Sequence, residues 1–309
     1  MDKVTRGSVT LSARSAGVRV QGRELLLIHG LNANMAFWHP VLIRELVAGR
    51  FLMMYDQRGH GRSDMPASGY TPSELAHDAA AVLDAYGVAD ADVVAHSFGA
   101  TVALQLARLF PERVRSLVLL DPRLRVFQPF LKLADWPEFD KWKASLGAAG
   151  ERLNPDVALD FMLPLHFAEA ALRQAGPGLV ANGFAPIGGG RRGAARYRQL
   201  IADTTAAADY QNIDGLDLPS LKMVTCPVFA IYGPHSPFLE TLAAVKRELP
   251  EWVARLLHEG GHNFPVRFPE HTAQCILEFL ATASGARDTE HVTREVGERS
   301  SSSPYGDIS

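Results

Sequence analysis

The sequence predicts an α/β fold, a doubly wound and mostly parallel sheet with a helical cap inserted between two of its strands. Three observations carry this expectation. Short apolar runs, each closed by glycine or a polar residue, alternate with longer segments of helical periodicity. The runs are apolar throughout, with no polar alternation, as strands covered on both faces require. One long aromatic-rich interval, 123–203, breaks the alternation.

The candidate strands are Glu24–Ile28, Phe51–Tyr55, Ala91–Ala95, Val114–Leu120, Pro227–Tyr232 and Trp252–Leu257. Between them, Ser73 to Tyr86 places Leu75, Ala79, Val82 and Leu83 on one helical face, with Ser73 as the candidate N-cap. Ala100 to Phe110 reads as a helix that stops before Pro111, and Pro269-Glu270 opens another that reaches Leu280. In a sheet of this kind sites form beyond the carboxyl ends of the strands. His29, Asp56, Ser97 and Asp121 all follow candidate strands directly.

These elements divide the chain into a core of residues 1–122 and 204–283, a cap of residues 123–203 and a tail of residues 284–309. The cap carries Phe127, Phe130, Trp136, Phe139, Trp142, Phe161 and Phe167, a helix start at Asn154-Pro155 and a glycine run from Gly188 to Gly190. Most of these aromatics are expected to bind the cap to the core, with some facing a pocket. Arg191 and Arg192, beside the glycine run, read as part of a solvated loop, or as partners for a phosphate on a carrier-bound substrate. The tail is charged, serine-rich and short of apolar anchors, so disorder is expected there.

Composition narrows the partners. The chain has 309 residues, 47% of them hydrophobic and 21% charged, with a net charge of −3. That balance provides no basic field for nucleic acid or an anionic membrane surface. Cys226 and Cys275 are the two cysteines, too few for a disulfide framework, and both read as small buried hydrophobes. No stretch approaches a membrane-spanning length and the first residues lack an apolar targeting core, so a cytoplasmic protein is expected.

The strongest chemical signal is Val93-Val94-Ala95-His96-Ser97-Phe98-Gly99-Ala100. Small residues at 95 and 99 let a strand and the following helix approach closely enough for a strained turn. Such a turn lifts the serine hydroxyl above the sheet as a nucleophile. A hydroxyl needs a base, and His262 stands on a loop just past the last strand, where an imidazole can reach a serine elbow. An oxyanion hole completes the set. The amide of Leu31, after the strand that ends at His29-Gly30, pairs with that of Phe98 at the head of the helix.

The segments His29-Gly30-Leu31, Tyr55-Asp56-Gln57-Arg58-Gly59-His60-Gly61-Arg62-Ser63-Asp64, Ala95-His96-Ser97-Phe98-Gly99 and Gly261-His262 resemble the α/β-hydrolase superfamily in order and spacing. The resemblance covers about residues 15–283 and implies a serine esterase or thioesterase needing no cofactor and no metal. It also implies that the Arg58–Ser63 segment is a structural loop, so His60 is given no catalytic role. The family's acid usually follows the strand that ends here at Tyr232-Gly233. That place holds Pro234-His235-Ser236-Pro237, and no carboxylate appears before Glu240. Some branches of the family place the acid after the preceding strand, which makes Asp121 the first candidate, with an incomplete triad and Glu240 as the alternatives.

The expected reaction is therefore cleavage of a small-molecule or carrier-bound ester or thioester with an apolar acyl group, through an acyl-enzyme on Ser97. Acyl transfer to an internal nucleophile and carbon–carbon cleavage use the same apparatus. A non-catalytic ligand-binding homologue is the third reading, favoured only by the missing aspartate. Asn32, His96, His235, Trp136 and Phe161 are the candidate substrate contacts, His96 and His235 reading equally as packing residues.

Overall fold

The computed structural model describes residues 1–38, 40–132, 134, 139–148, 165 and 190–300, with backbone alone for 141, 142, 145, 146, 148, 190 and 285–300. Its centre is an eight-stranded sheet of order β1-β2-β4-β3-β5-β6-β7-β8. The strands are β1 (Asp2–Arg6), β2 (Val9–Gly17), β3 (Glu24–Ile28), β4 (Phe51–Tyr55), β5 (Ala91–His96), β6 (Val114–Leu120), β7 (Val228–Tyr232) and β8 (Val253–Leu256). From β4 to β8 every pairing is parallel, whereas β1 pairs with β2 and β2 with β4 in antiparallel fashion.

Six strands coincide closely with the apolar runs. The N-terminal hairpin β1–β2 was not anticipated, for a physical reason. Val9, Leu11 and Ala13 are buried but alternate with Thr10 and Ser12, so the pair carries no continuous apolar run.

The described helices are α1 (Pro40–Leu46), α2 (Pro72–Ala85), α3 (Phe98–Leu109), α4 (Phe139–Ala148), α5 (Gly190–Asp203), α6 (Leu239–Glu248) and α7 (Pro269–Ser300), with shorter turns between. Successive strand residues point to opposite faces and so feed two separate cores. Leu26, Ile28, Val93, Ala95, Leu117 and Leu119 pack with α2 and α3. Leu25, Leu27, Val94, Val118 and Leu120 pack with Leu42 and Leu46 of α1 and Ile276 and Leu280 of α7. Double burial explains why these strands read as unbroken apolar runs.

Three boundaries differ from expectation. Thr71, not Ser73, caps α2, accepting from the Glu74 amide at 3.3 Å, because Pro72 fits the first helical position. The Gly190-Arg191-Arg192 stretch, expected as loop, is the first turn of α5. The backbone remains helical to Ser300 where a disordered tail from 284 was expected. Arg, Glu and Ala in that segment favour helix locally even without an apolar face, and no proline intervenes before Pro304. Trp136, Phe161 and most of the 123–203 interval lie outside the described residues.

Cys275 is buried and Cys226 is half-buried, and neither is part of a disulfide. Among the described residues no helix is long and apolar enough to cross a membrane.

Candidate active site

The site grows from the carboxyl ends of β3, β5, β6 and β8. Ser97 follows β5 with φ 55° and ψ −124°, a conformation that non-glycine residues adopt only under constraint. The constraint is visible on both sides. The Ser97 amide donates to the Leu120 carbonyl at 2.9 Å, and the Ser97 carbonyl accepts from Ala100 at 3.0 Å as α3 begins. Two glycines allow β3 to close on this turn. A Cβ on Gly99 would lie 2.5 Å from the Ile28 carbonyl oxygen, and one on Gly30 would lie 2.9 Å from the Ser97 Cβ. Ser97 is not alone in its strain. Among the described residues the non-glycine positions with positive φ are Asn32, Ser97, Asp121 and Asp214, and the first three stand at neighbouring strand ends.

Leu31 follows the Gly30 that touches the serine, and Phe98 opens α3, whose first amides have no intrahelical acceptor. The loop around them is held from beneath by His29. Its Nδ1–H donates to the Gly30 carbonyl at 2.8 Å and its Nε2 accepts from the Gln57 amide at 3.0 Å. Burial lowers the His29 pKa to about 4, so the ring is neutral and structural. His60 is likewise a strut, its Nε2 accepting from the Asn32 amide at 3.3 Å.

His262 lies beyond β8 and meets Asp121, the residue after β6, through Nδ1 and Oδ2 at 2.7 Å. Asp121 is fully buried. Its Oδ2 also accepts from the Ser236 hydroxyl at 2.9 Å, and the Ser236 oxygen accepts from the Phe238 amide at 2.9 Å. The Phe238 ring stands edge-on to the His262 ring at 5.2 Å. An ionised carboxylate that accepts Nδ1–H fixes the tautomer with the proton off Nε2, the form a general base needs.

His96 does something other than line a pocket. It is buried, stacks on Phe37 at 4.3 Å, and donates Nε2–H to the His262 carbonyl at 2.9 Å. Burial first, then the nearness of His262, pushes its pKa well below the ordinary value, so it holds the His262 loop as a neutral donor. His235 is exposed, and its backbone bridges to Gly261 while its amide donates to Gly260 at 3.1 Å. Asn32 lies half-buried at the edge of a neighbouring cleft, and Glu240 is exposed on the first turn of α6. Sequence reasoning passed over Ser236, Phe238 and Phe37. Ser236 had a visible signal, since it occupies the loop where the acid was missing.

A sheet of this topology, with a serine on a strained strand-to-helix turn, defines an enzyme of the α/β-hydrolase type. The chain belongs to that family: a family model described as the alpha/beta hydrolase fold matches residues 24–264. It is 30% identical over 289 residues to the 2-(acetamidomethylene)succinate hydrolase of Mesorhizobium japonicum, covering 90% of this chain and 94% of that one. The crystal structure of E-2-(acetamidomethylene)succinate hydrolase superposes with a TM-score of 0.62 at 27% identity, covering 91% of this chain and 98% of that one. Est816, described as an N-acyl homoserine lactone degrading enzyme, shares the fold with a TM-score of 0.64 at 23% identity over 90% of this chain and all of its own.

Proposed function

We propose that the protein is a serine hydrolase that cleaves a carboxylic ester or thioester through an acyl-enzyme on Ser97. The observation that carries this reading is the His262–Asp121 hydrogen bond of 2.7 Å, together with a serine held at positive φ on the turn after β5. Binding alone needs neither a strained serine nor an oriented imidazole. The hydrolase names of relatives support hydrolysis as the outcome.

In this mechanism the Ser97 hydroxyl attacks the acyl carbon and its proton passes to His262 Nε2. The amides of Leu31 and Phe98 hold the oxyanion, each donor being worth roughly 10²–10³ in rate. Collapse expels the alcohol or thiol, which takes the proton from His262. Water then attacks the acyl-enzyme, giving one proton to His262, which returns it to Ser97 as the acid is released. Asp121 stays ionised throughout and stabilises the transient imidazolium.

Labelling with a fluorophosphonate followed by peptide mapping tests the reading. The expected adduct is on Ser97 and is absent in Ser97→Ala. Wild-type protein that acquires no adduct on Ser97 would overturn it.

A further inference from the structure

A cleft of about 500 Å³ opens beside the proposed oxyanion loop. Its walls are the Asn32–Met35 loop, the Gly59–Arg62 loop and the Arg192–Tyr197 face of α5, and neither Ser97 nor His262 lines it. Three arginines, Arg62, Arg192 and Arg196, line the same space. Arg192 and Arg196 are four residues apart on α5 and so share a face. Arg62 and Arg192 are exposed, whereas Arg196 is half-buried with one Nη donating to the Ser63 carbonyl. The Nε of Arg196 is buried with no hydrogen-bond acceptor among the described residues.

Several arginines elsewhere in the chain are paired with carboxylates. Arg6, Arg58 and Arg115 each meet at least one carboxylate within 3.2 Å. None of the three cleft arginines has a carboxylate partner among the described residues. Asp56, the acidic residue in the lining, is committed elsewhere, its two oxygens accepting from the Met35 and Arg62 amides at 2.8 Å each. His60 adds no charge of its own. Burial foremost brings its pKa to about 3, so it stays neutral. Like charges gathered around a concavity raise the local concentration of anions, and a guanidinium fork matches carboxylate or phosphate oxygens two at a time.

We propose that this cleft is an oxyanion-binding site that takes a carboxylate or phosphate group, with Arg196 as its fixed fork and Arg62 and Arg192 on its rim. The cleft begins at Asn32, two residues from the Gly30 whose backbone packs on Ser97. A substrate-borne anion seated there would anchor an acyl compound beside the oxyanion hole, a consequence that rests on the hydrolase reading. The binding itself does not.

Calorimetric titration of Ser97→Ala protein with inorganic phosphate and with succinate, at low ionic strength, tests the site. Saturable binding is expected, with Kd raised at least tenfold by an added Arg196→Gln and at least threefold by an added Arg192→Gln. The exposed Arg192 keeps the test decisive if Arg196→Gln fails to fold. No saturable binding, or a Kd that neither folded variant changes, overturns the proposal. With Ser97 intact, nitrophenyl hemisuccinate and nitrophenyl butyrate then distinguish the anion's source. A tenfold fall in the ratio of their kcat/KM values in Arg196→Gln assigns the site to the substrate's own carboxylate. An unchanged ratio with lost phosphate binding assigns it to a free anion. Protein that binds phosphate but hydrolyses neither ester leaves the cleft standing and removes the acyl-enzyme reading.

Discussion

His262 donates Nδ1–H to Asp121 Oδ2 across 2.7 Å, although β7 lies between the two strands that carry them. The reach is possible because Asp121 turns at φ 51° as soon as β6 ends, and its amide is fixed to the Ile231 carbonyl of β7 at 2.7 Å. Ser236, on the loop after β7, fills the gap by donating to the same carboxylate oxygen.

Asp121→Asn is therefore expected to lower kcat by about 10⁴, as loss of the tautomer-fixing carboxylate does elsewhere. Glu240→Gln is expected to leave kcat within a factor of two, since that side chain is exposed on α6. Ser236→Ala removes the hydroxyl donor to Oδ2 and is expected to cost about tenfold or less. Steady-state kinetics on a short-chain nitrophenyl ester checks all three. Full activity in Asp121→Asn would remove Asp121 from the mechanism.

Gly30→Ala tests the close contact of β3 with the elbow. The added Cβ would sit 2.9 Å from the Ser97 Cβ and 3.2 Å from the His96 carbonyl, so the Leu31 amide must move. Displacing one oxyanion donor predicts a loss of roughly 10²–10³ in kcat. Thermal unfolding measured beside the kinetics separates displacement from simple unfolding. A variant as active as wild type would show that the Leu31 amide is not an oxyanion donor.

Much of this site was legible because its backbone demands are strict. Gly99 and Gly30 must be glycine, Ser97 must follow an apolar run, and a histidine must follow the last strand. Each demand leaves a residue type at a fixed place in the chain. Asp121 was legible only as one alternative beside Glu240 and an incomplete triad, because the choice depends on which strand end faces His262, a property of sheet order. Contacts made by common residue types left even less trace. Nothing local marks Phe37 as the ring beneath His96, or Ser236 as a donor to Asp121, since each pairing spans distant parts of the chain. The β1–β2 hairpin escaped because its apolar residues alternate with Thr10 and Ser12 and so form no continuous apolar run. The extension of α7 escaped because a charged helix without an apolar face has the composition of a disordered tail.

A buried ion network ties the Arg58 loop to the N-terminal hairpin. Asp78 accepts from Arg58 Nε and Nη2 at 2.6 Å each and from Arg6 Nε at 2.7 Å, and its side chain is 1% exposed. Asp78→Ala leaves the nearly buried Arg58 cation without its partner, which is expected to cost roughly 3–5 kcal/mol. Adding Arg58→Met to that variant removes the orphaned charge and is expected to recover part of the loss. Urea unfolding of the single and double variants measures both effects. A single variant within about 0.5 kcal/mol of wild type, the range of ordinary surface changes, would show that the network contributes little.

Acid should destabilise the fold through its buried histidines. Burial lowers His29 from 6.5 to about 4 and His60 from 6.5 to about 3, and pushes His96 well below its ordinary value. Each takes up a proton more readily in the unfolded chain than in the native one. Stability is then full above pH 6.5 and declines as pH falls toward 4, the reverse of a histidine that gains an acidic partner. Each excluded proton adds about 1.4 kcal/mol per pH unit to the slope within that window. Asp56, whose carboxyl burial pushes upward, opposes the trend at its acidic end. Glu74, held low by its Arg6 hydrogen bond, contributes acid sensitivity only below its ordinary 4.5. Urea unfolding between about pH 7 and pH 5 should show the decline, and His60→Gln, which keeps one donor and one acceptor, should flatten it by one proton's share. A slope that is flat in wild type, or untouched by His60→Gln, would mean that these rings accept protons in the folded state, and the neutral struts beneath the Leu31 loop would have to be redrawn.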